Sequence, residues 1–338
     1  MADHYGDAEL VVGHHNRTAG RPITSFTKWC PAENGVKTFE NAEEAVDRAL
    51  QRTRQRQLAL LQYHIWDYSD DTYLHNLSHL RTLQQRGKIA HLGLTNIDAA
   101  HLELILHSGF TIATNQVSCS VIDRRLTRGR LSSVCTDHGV GVLAYGTLLG
   151  GFLSERWVGK EEPSDLESLN WSLRKYLRFI RAAGGWAPFQ VVLQSLASVA
   201  EKHGVPVAAV ATRWVLDIPA VSAVIVGSRL SVASQKHLEG NLAAFAFSLD
   251  EQDRKLISEA QECLVDIPWD CGDEYRRPPF LTAAGDLTDH IPALSETASR
   301  LNAAIAAGTR VAYDTGTKWE PVAVSPLLTE SLLYLLET

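Results

Sequence analysis

No stretch of this chain approaches the ~20 consecutive apolar residues that a membrane-crossing helix needs. The N-terminus has no apolar core of the kind a secretory leader carries. A cytoplasmic protein with no membrane partner is the expectation. Methionine occurs once and cysteine five times in 338 residues. Cys30, Cys119, Cys135, Cys263 and Cys271 are odd in number, and no two are spaced Cys-x-x-Cys. That argues against a disulfide framework or a cysteine-rich zinc site and suits a reducing compartment. Positive charge is not in excess: 32 Lys and Arg stand against 39 Asp and Glu, a net charge of −7. A nucleic-acid partner therefore has no electrostatic footprint here. The densest basic run, Arg124, Arg125, Arg128 and Arg130, reads as a solvated loop. The adjacent His14 and His15 lack further ligands nearby, and no metal site is expected.

What remains is an ordinary globular composition, 45% hydrophobic and 21% charged, long enough to bury a large core. Six short apolar runs punctuate it: TSFTKWC (24–30), LALLQYHIW (58–66), AHLGLTN (90–96), TIATNQV (111–117), GVGVLAYG (139–146) and AVSAVIVG (220–227). Near-continuous apolar content is the mark of strands covered on both faces in a parallel sheet. Helix-period stretches lie between them. Glu40 to Gln55 puts Val46, Ala49 and Leu50 on one face. Asp70 to Gln85 repeats Tyr73, Leu77 and Leu80. Asp98 reads as the cap of a helix carrying Leu102, Ile105 and Leu106. Pro206 suits a first helical turn, and Ser248 to Glu251 fits a capping box. The long stretch 146–187 reads equally well as a substrate-side lid or as an extra helix packing Trp171, Tyr176 and Phe179 on its own core.

Strand and helix in alternation give either a doubly wound sheet or a TIM-type barrel. No G-x-G-x-x-G follows the first run, which weakens the dinucleotide-fold alternative. The runs end in polar groups: Lys28, His64, Thr95 with Asn96, Asn115 with Gln116, Tyr145, and Gly227 with Ser228 and Arg229. Chemistry gathers at such strand ends in a barrel. An ammonium beside a tyrosine favours the phenolate and so makes the phenol a better acid. A neutral imidazole such as His64 orients a carbonyl oxygen through its ring N–H. Asn96 and Gln116 bring amides suited to a carboxamide, and Tyr145 a flat ring for stacking. Gly227, Ser228 and Arg229 ahead of a helical stretch suit a phosphate.

In these residues and their order the chain resembles the aldo-keto reductase superfamily from Ala2 to about Val265. The motifs are ADHYG (2–6), FTKW (26–29), LLQYHIW (60–66), LGLTN (92–96), TNQV (114–117), AYGTLLGG (144–151) and IVGSR (225–229). Two longer stretches look most like reductases of fungal and plant type. The resemblance implies a (β/α)8 barrel over 1–265 that binds NADP(H) extended and reduces a small-molecule aldehyde or ketone. It implies Tyr5 as general acid, Lys28 as the residue tuning it and His64 as the substrate-orienting histidine. Thr95, Asn96, Gln116, Tyr145, Gly146, Leu148, Gly227, Ser228, Arg229 and Asn241 match the cofactor side. Aromatic surroundings point to a hydrophobic or aromatic substrate, by analogy one of secondary metabolism.

The family motif reads D-x-A-x-x-Y-G. Ala2, Tyr5 and Gly6 fit it, but its aspartate falls immediately before Met1, and Asp3 comes two residues late. The expectation is a barrel lacking its first strand, first helix and most of its second strand. A catalytically weak NADP(H)-binding or regulatory protein is the second reading. Residues 266–338 read as a partly irregular C-terminal extension, with a helix at 295–307. Oligomeric state is left open.

Overall fold

A computed structural model describes residues 1–31, 37–66, 68, 72–227, 234–276, 310–313 and 319–322. Two compact units divide them. The first holds Met1–Gln116 and His138–Val140; the second holds Val117–Asp137 and the described residues from Gly141 to 276. Among the described residues six strands follow chain order in one sheet, and a separate antiparallel pair joins Arg310–Tyr313 to Trp319–Val322.

The first unit alternates helix and strand: α1 (Ala8–Thr18), β1 (Phe26–Trp29), α2 (Phe39–Thr53), β2 (Leu58–His64), α3 (Tyr73–Gln85), β3 (Ile89–Thr95), α4 (Ala99–His107) and β4 (Thr114–Ser118). β4 runs past the unit's end by two residues. β1 pairs with β2, β2 with β3 and β3 with β4, all parallel. The first two apolar runs read from this part of the sequence contain their strands, while β3 begins one residue before its run and β4 ends one residue after. Leu58, Leu61, Leu77, Leu80, Leu83, Ile89 and Leu94 are fully buried, as near-continuous apolar strands and one-faced helices require. α2 begins at a capping box in which Thr38 and Asn41 each satisfy the other's backbone N–H. Asp98 caps α4 by accepting from the His101 N–H at 2.8 Å, as its sequence position implied. Residues 1–3 lie along β1: the Met1 nitrogen donates to the Phe26 carbonyl at 2.9 Å and the Asp3 N–H to the Lys28 carbonyl at 3.0 Å. The two-residue step in the same direction on both chains is that of a parallel ladder.

The second unit holds α5 (Arg125–Arg128), α6 (Leu131–Asp137), β5 (Gly141–Tyr145), α7 (Trp171–Ala182), α8 (Trp186–His203), α9 (Val207–Leu216), β6 (Val221–Val224), α10 (Ser234–Leu242) and α11 (Glu251–Gln261). β5 and β6 pair parallel. Its core packs Phe152, Tyr176, Phe179, Phe189, Val192 and Leu196, all fully buried. Of the two readings of 146–187, the extra helix is what forms: α7 buries Trp171, Tyr176 and Phe179. Pro206 stands at the cap of α9. The helix expected at 295–307 lies outside the described residues.

Two local readings change. The cap of α11 is Asp250, not Ser248: its carboxylate accepts from the Asp253 N–H at 2.9 Å while Asp253 accepts from the Asp250 N–H at 3.0 Å. A carboxylate at the cap also suits the positive end of the helix. Arg124 and Arg125 are not solvated but buried. Arg124 reaches Asp266 at 2.7 Å, and Arg125 lies between Asp123 at 2.7 Å and Glu274 at 2.6 Å.

Asp253 carries a pH dependence. Burial pushes its carboxyl up, but hydrogen bonds from Lys202 and His203, each 2.7 Å away, outweigh that and bring it down to about 2. A carboxylate lowered on folding contributes stability that is complete above its unfolded value of ~3.9 and is lost as the pH falls through the folded value. We expect Asp253→Asn to lower the urea-derived stability by about 2 kcal/mol at pH 6, with the gap roughly halved by pH 3. A gap that stays constant over that range would show that the carboxylate's charge is not what these bonds recognise.

Candidate active site

Tyr5 lies in the turn between residues 1–3 and α1. Its N–H donates to the Ala2 carbonyl at 3.1 Å, and its own carbonyl accepts from Ala8 at 3.1 Å. Lys28, at the inner end of β1, is buried. Its ammonium sits 5.1 Å from the centre of the Tyr5 ring and donates to the Met1 carbonyl at 3.0 Å. Burial pulls the Lys28 ammonium below the ordinary lysine range, and the neighbouring Cys30 and Asp3 partly oppose that pull. Tyr5 and Lys28 are thus neighbours in space although they lie 23 positions apart in the chain.

The next strands bring their ends alongside. Parallel register places His64 beside Thr95 and Thr95 beside Gln116. His64 Nε2 lies 3.5 Å from Asn96 Nδ2. The Asn96 N–H and the Thr95 hydroxyl both donate to the Gln116 carbonyl, at 2.8 and 3.1 Å. Asn96 holds a left-handed backbone, φ 57°, a conformation asparagine tolerates better than bulkier residues. The Gln62 side-chain N–H donates to Gln116 Oε1 at 2.8 Å. Gln62 Oε1, in contrast, is buried without a hydrogen-bond partner.

Aromatic rings bridge the tyrosine and the histidine. The His4 ring stands 4.7 Å from Tyr5 and 6.5 Å from Trp66, and Trp66 stands 3.7 Å from His64. Sequence reasoning gave neither His4 nor Trp66 a role. Both lie inside motifs already quoted, so the signal was adjacency to Tyr5 and a two-residue step from His64. Gln62 also went unmarked, although the period of two places it on the same strand face as His64.

Tyr145 ends β5, and Gly146 and Leu148 follow it directly. Tyr145 is buried, and its hydroxyl donates to Glu274 Oε1 at 3.3 Å and lies 3.5 Å from the Tyr275 hydroxyl. Burial first, then Tyr275 and Glu274, push the Tyr145 phenol well above its usual value. Gly146 has φ 71°, and a Cβ there would stand 2.8 Å from the Tyr176 hydroxyl, so both backbone and space call for glycine. Leu148 packs against the unit's core. Lys175 was not foreseen. Its ammonium lies 5.2 to 5.8 Å from the ring centres of Trp171, Tyr145, Tyr176 and Tyr275 and donates to the Tyr275 hydroxyl at 3.3 Å. Gly227 follows β6, and Asn241 is half-buried on α10. Ser228 and Arg229 lie outside the described residues.

Parallel strands with intervening helices, and a buried lysine beside a tyrosine with a histidine and two amides at the neighbouring strand ends, define a class. The Aldo/keto reductase family model matches residues 1–262, and the chain belongs to that family. Its solved neighbours share the fold. An aldo/keto reductase from Klebsiella pneumoniae, solved in complex with NADP and acetate, superposes with a TM-score of 0.54 at 21% identity over 74% of each chain. Flagellar radial spoke protein 5 of Chlamydomonas reinhardtii is 34% identical over 136 residues, 38% of this chain and 25% of that protein. Norsolorinic acid reductase B of Dothistroma septosporum is 24% identical over 245 residues, 70% of this chain and 56% of that protein. The chain spans half or less of the length of the first curated relatives it matches. Among the described residues no helix is long and apolar enough to cross a membrane.

Proposed function

We propose that this chain is an NADP(H)-dependent reductase of aldehyde or ketone carbonyls, with Tyr5 as the proton donor. The observation that carries the reading is the Lys28 ammonium 5.1 Å from the Tyr5 ring, with His64 and Asn96 within 3.5 Å of each other. The residues present fit a nicotinamide carboxamide. Asn96 and Gln116 offer amides, and the partnerless Gln62 Oε1 is a buried acceptor of the kind a carboxamide N–H satisfies. When bound, the reduced nicotinamide supplies a hydride.

The chain's own residues do the rest. Tyr5 gives its hydroxyl proton to the carbonyl oxygen as negative charge develops there. Lys28 stabilises the phenolate left behind. His64 orients the carbonyl oxygen through a ring N–H. Thr95 and Asn96, locked to the Gln116 carbonyl, hold the amide end in place, so little reorganisation is left for the reaction itself. Tyr145, Gly146, Leu148, Gly227, Ser228, Arg229 and Asn241 complete the cofactor side in this reading, with the arginine selecting the 2′-phosphate. His4, Trp66 and Tyr5 offer an aromatic border that suits an aromatic or hydrophobic carbonyl compound, in keeping with the norsolorinic acid reductase among the relatives. A place in secondary metabolism and a cytoplasmic location belong to the same proposal.

One observation favours a weaker catalyst. The Asp3 carboxylate, the nearest counterpart of the family's aspartate, is engaged by the Cys30 N–H at 3.2 Å and by His4 at 3.1 Å. NADPH oxidation against a panel of aromatic aldehydes and ketones, run beside a fluorescence titration of NADPH, separates the readings. Turnover supports the reductase, binding without turnover supports the weak or regulatory protein, and failure to bind NADPH rejects both.

A further inference from the structure

We propose that Asp3, His4 and Cys30 form a binding site for a borderline-soft divalent cation of the Zn2+ class. One ligand atom from each residue lies within 4.8 Å of the other two. His4 Nδ1 and Asp3 Oδ1 already stand 3.1 Å apart. In a tetrahedral zinc site, the usual bond lengths put neighbouring N, O and S donors roughly 3.4 to 3.6 Å from one another. The imidazole and carboxylate are thus close to the required edge, and the sulfur needs to close by about an ångström.

The donor set names the metal. A thiolate, an imidazole and a carboxylate together suit zinc and its neighbours. Magnesium and calcium take oxygen ligands. The backbone fixes the partners to each other: the Asp3 N–H bonds to the Lys28 carbonyl at 3.0 Å, and the Cys30 N–H bonds to Asp3 Oδ2 at 3.2 Å. That second bond occupies one carboxylate oxygen and turns the other toward His4, as an outer hydrogen bond orients a ligating carboxylate. Three protein ligands leave a fourth position for water or a small donor. The His4 and Asp3 side chains are 16% and 14% exposed, whereas Cys30 is buried, so an ion enters from the histidine side.

Coordination replaces protons with metal. The Cys30 S–H bond breaks, its proton passes to solvent, and the sulfur binds as thiolate. The Nδ1 proton that His4 donates to Asp3 passes to solvent, the ring's one remaining proton sits on Nε2 (taken up from solvent where the ring was neutral), and Nδ1 binds the ion. The ion takes the place of the hydrogen bond between His4 and Asp3. None of this rests on the reductase reading, and the test uses no turnover.

The full chain, stripped with a chelator, is titrated with Co2+ and followed by absorption. We expect one equivalent per chain, with a thiolate-to-cobalt charge-transfer band that Zn2+ abolishes by displacement. Cys30→Ser should remove the band, and His4→Ala should weaken binding at least about tenfold. His14→Ala and Cys263→Ser should leave both unchanged. The partly exposed His4 gives a variant whose folding does not depend on the buried thiol, so the proposal stays testable if Cys30→Ser is unstable. Absence of the charge-transfer band in the native chain overturns the site. So does a band that survives Cys30→Ser or disappears with Cys263→Ser.

Discussion

Tyr5→Phe is expected to abolish carbonyl reduction almost completely while leaving NADPH binding within about threefold of the native value. Removing a positioned general acid costs on the order of a thousandfold in turnover, about 4 kcal/mol of barrier. The substitution deletes one hydroxyl. It keeps the ring that stands 4.7 Å from His4 and 5.1 Å from the Lys28 ammonium, so the surrounding packing has no reason to move. Single-turnover kinetics with NADPH and an aromatic aldehyde measure the loss, and a fluorescence titration measures the retained affinity. Turnover within tenfold of native would remove Tyr5 from the chemistry and leave the family's acid without a candidate in this chain. A parallel loss of cofactor affinity would instead assign the residue to holding the site together.

Arg125→Met is expected to lower the melting temperature by about 5 °C. The guanidinium is buried between Asp123 and Glu274, at 2.7 and 2.6 Å, and both carboxylates are buried too. Burial pushes the Glu274 carboxyl up, and Arg125 more than offsets it, leaving Glu274 below its ordinary range. Without the arginine, two carboxylates remain in an interior that cannot solvate them, which costs about 3–5 kcal/mol. For a protein of this size each kcal/mol moves the midpoint by roughly 1–2 °C. Arg128→Met is the control: it is exposed and 3.9 Å from Asp266, and such pairs contribute about 1 kcal/mol or less. Equal midpoints for the two variants would mean that the buried network contributes no more than a surface pair.

Arg125 also marks where the sequence stops being readable. The six strands are legible because a parallel strand covered on both faces must be apolar almost throughout, which is a local property. The helix cap at Asp98 is legible, since a cap and its N–H lie three residues apart, whereas the caps at Thr38 and Asp250 go unread. Lys28, His64, Asn96 and Gln116 stand out because polar groups closing apolar runs are rare enough to notice; Tyr5 ends no such run and is picked out only by the family motif. The burial of Arg125 depends on Glu274, 149 positions away, and a short basic run carries no trace of it. Lys175 has the same defect: its ring neighbours include Tyr275, 100 positions on. Asp3 was passed over because it comes too late for the family motif. Its ties to Cys30 and His4 exist only once residues 1–3 lie along β1.

The pairing of β1 with β2, β2 with β3 and β3 with β4 has a consequence for how the protein is made. Each strand of the first unit hydrogen-bonds to the one synthesised just before it. As the chain leaves the ribosome at ~5–20 residues per second, every new strand finds its template already in place. None has to be threaded between two that have already joined. This part of the sheet can grow vectorially, each completed strand becoming the edge on which the next one pairs.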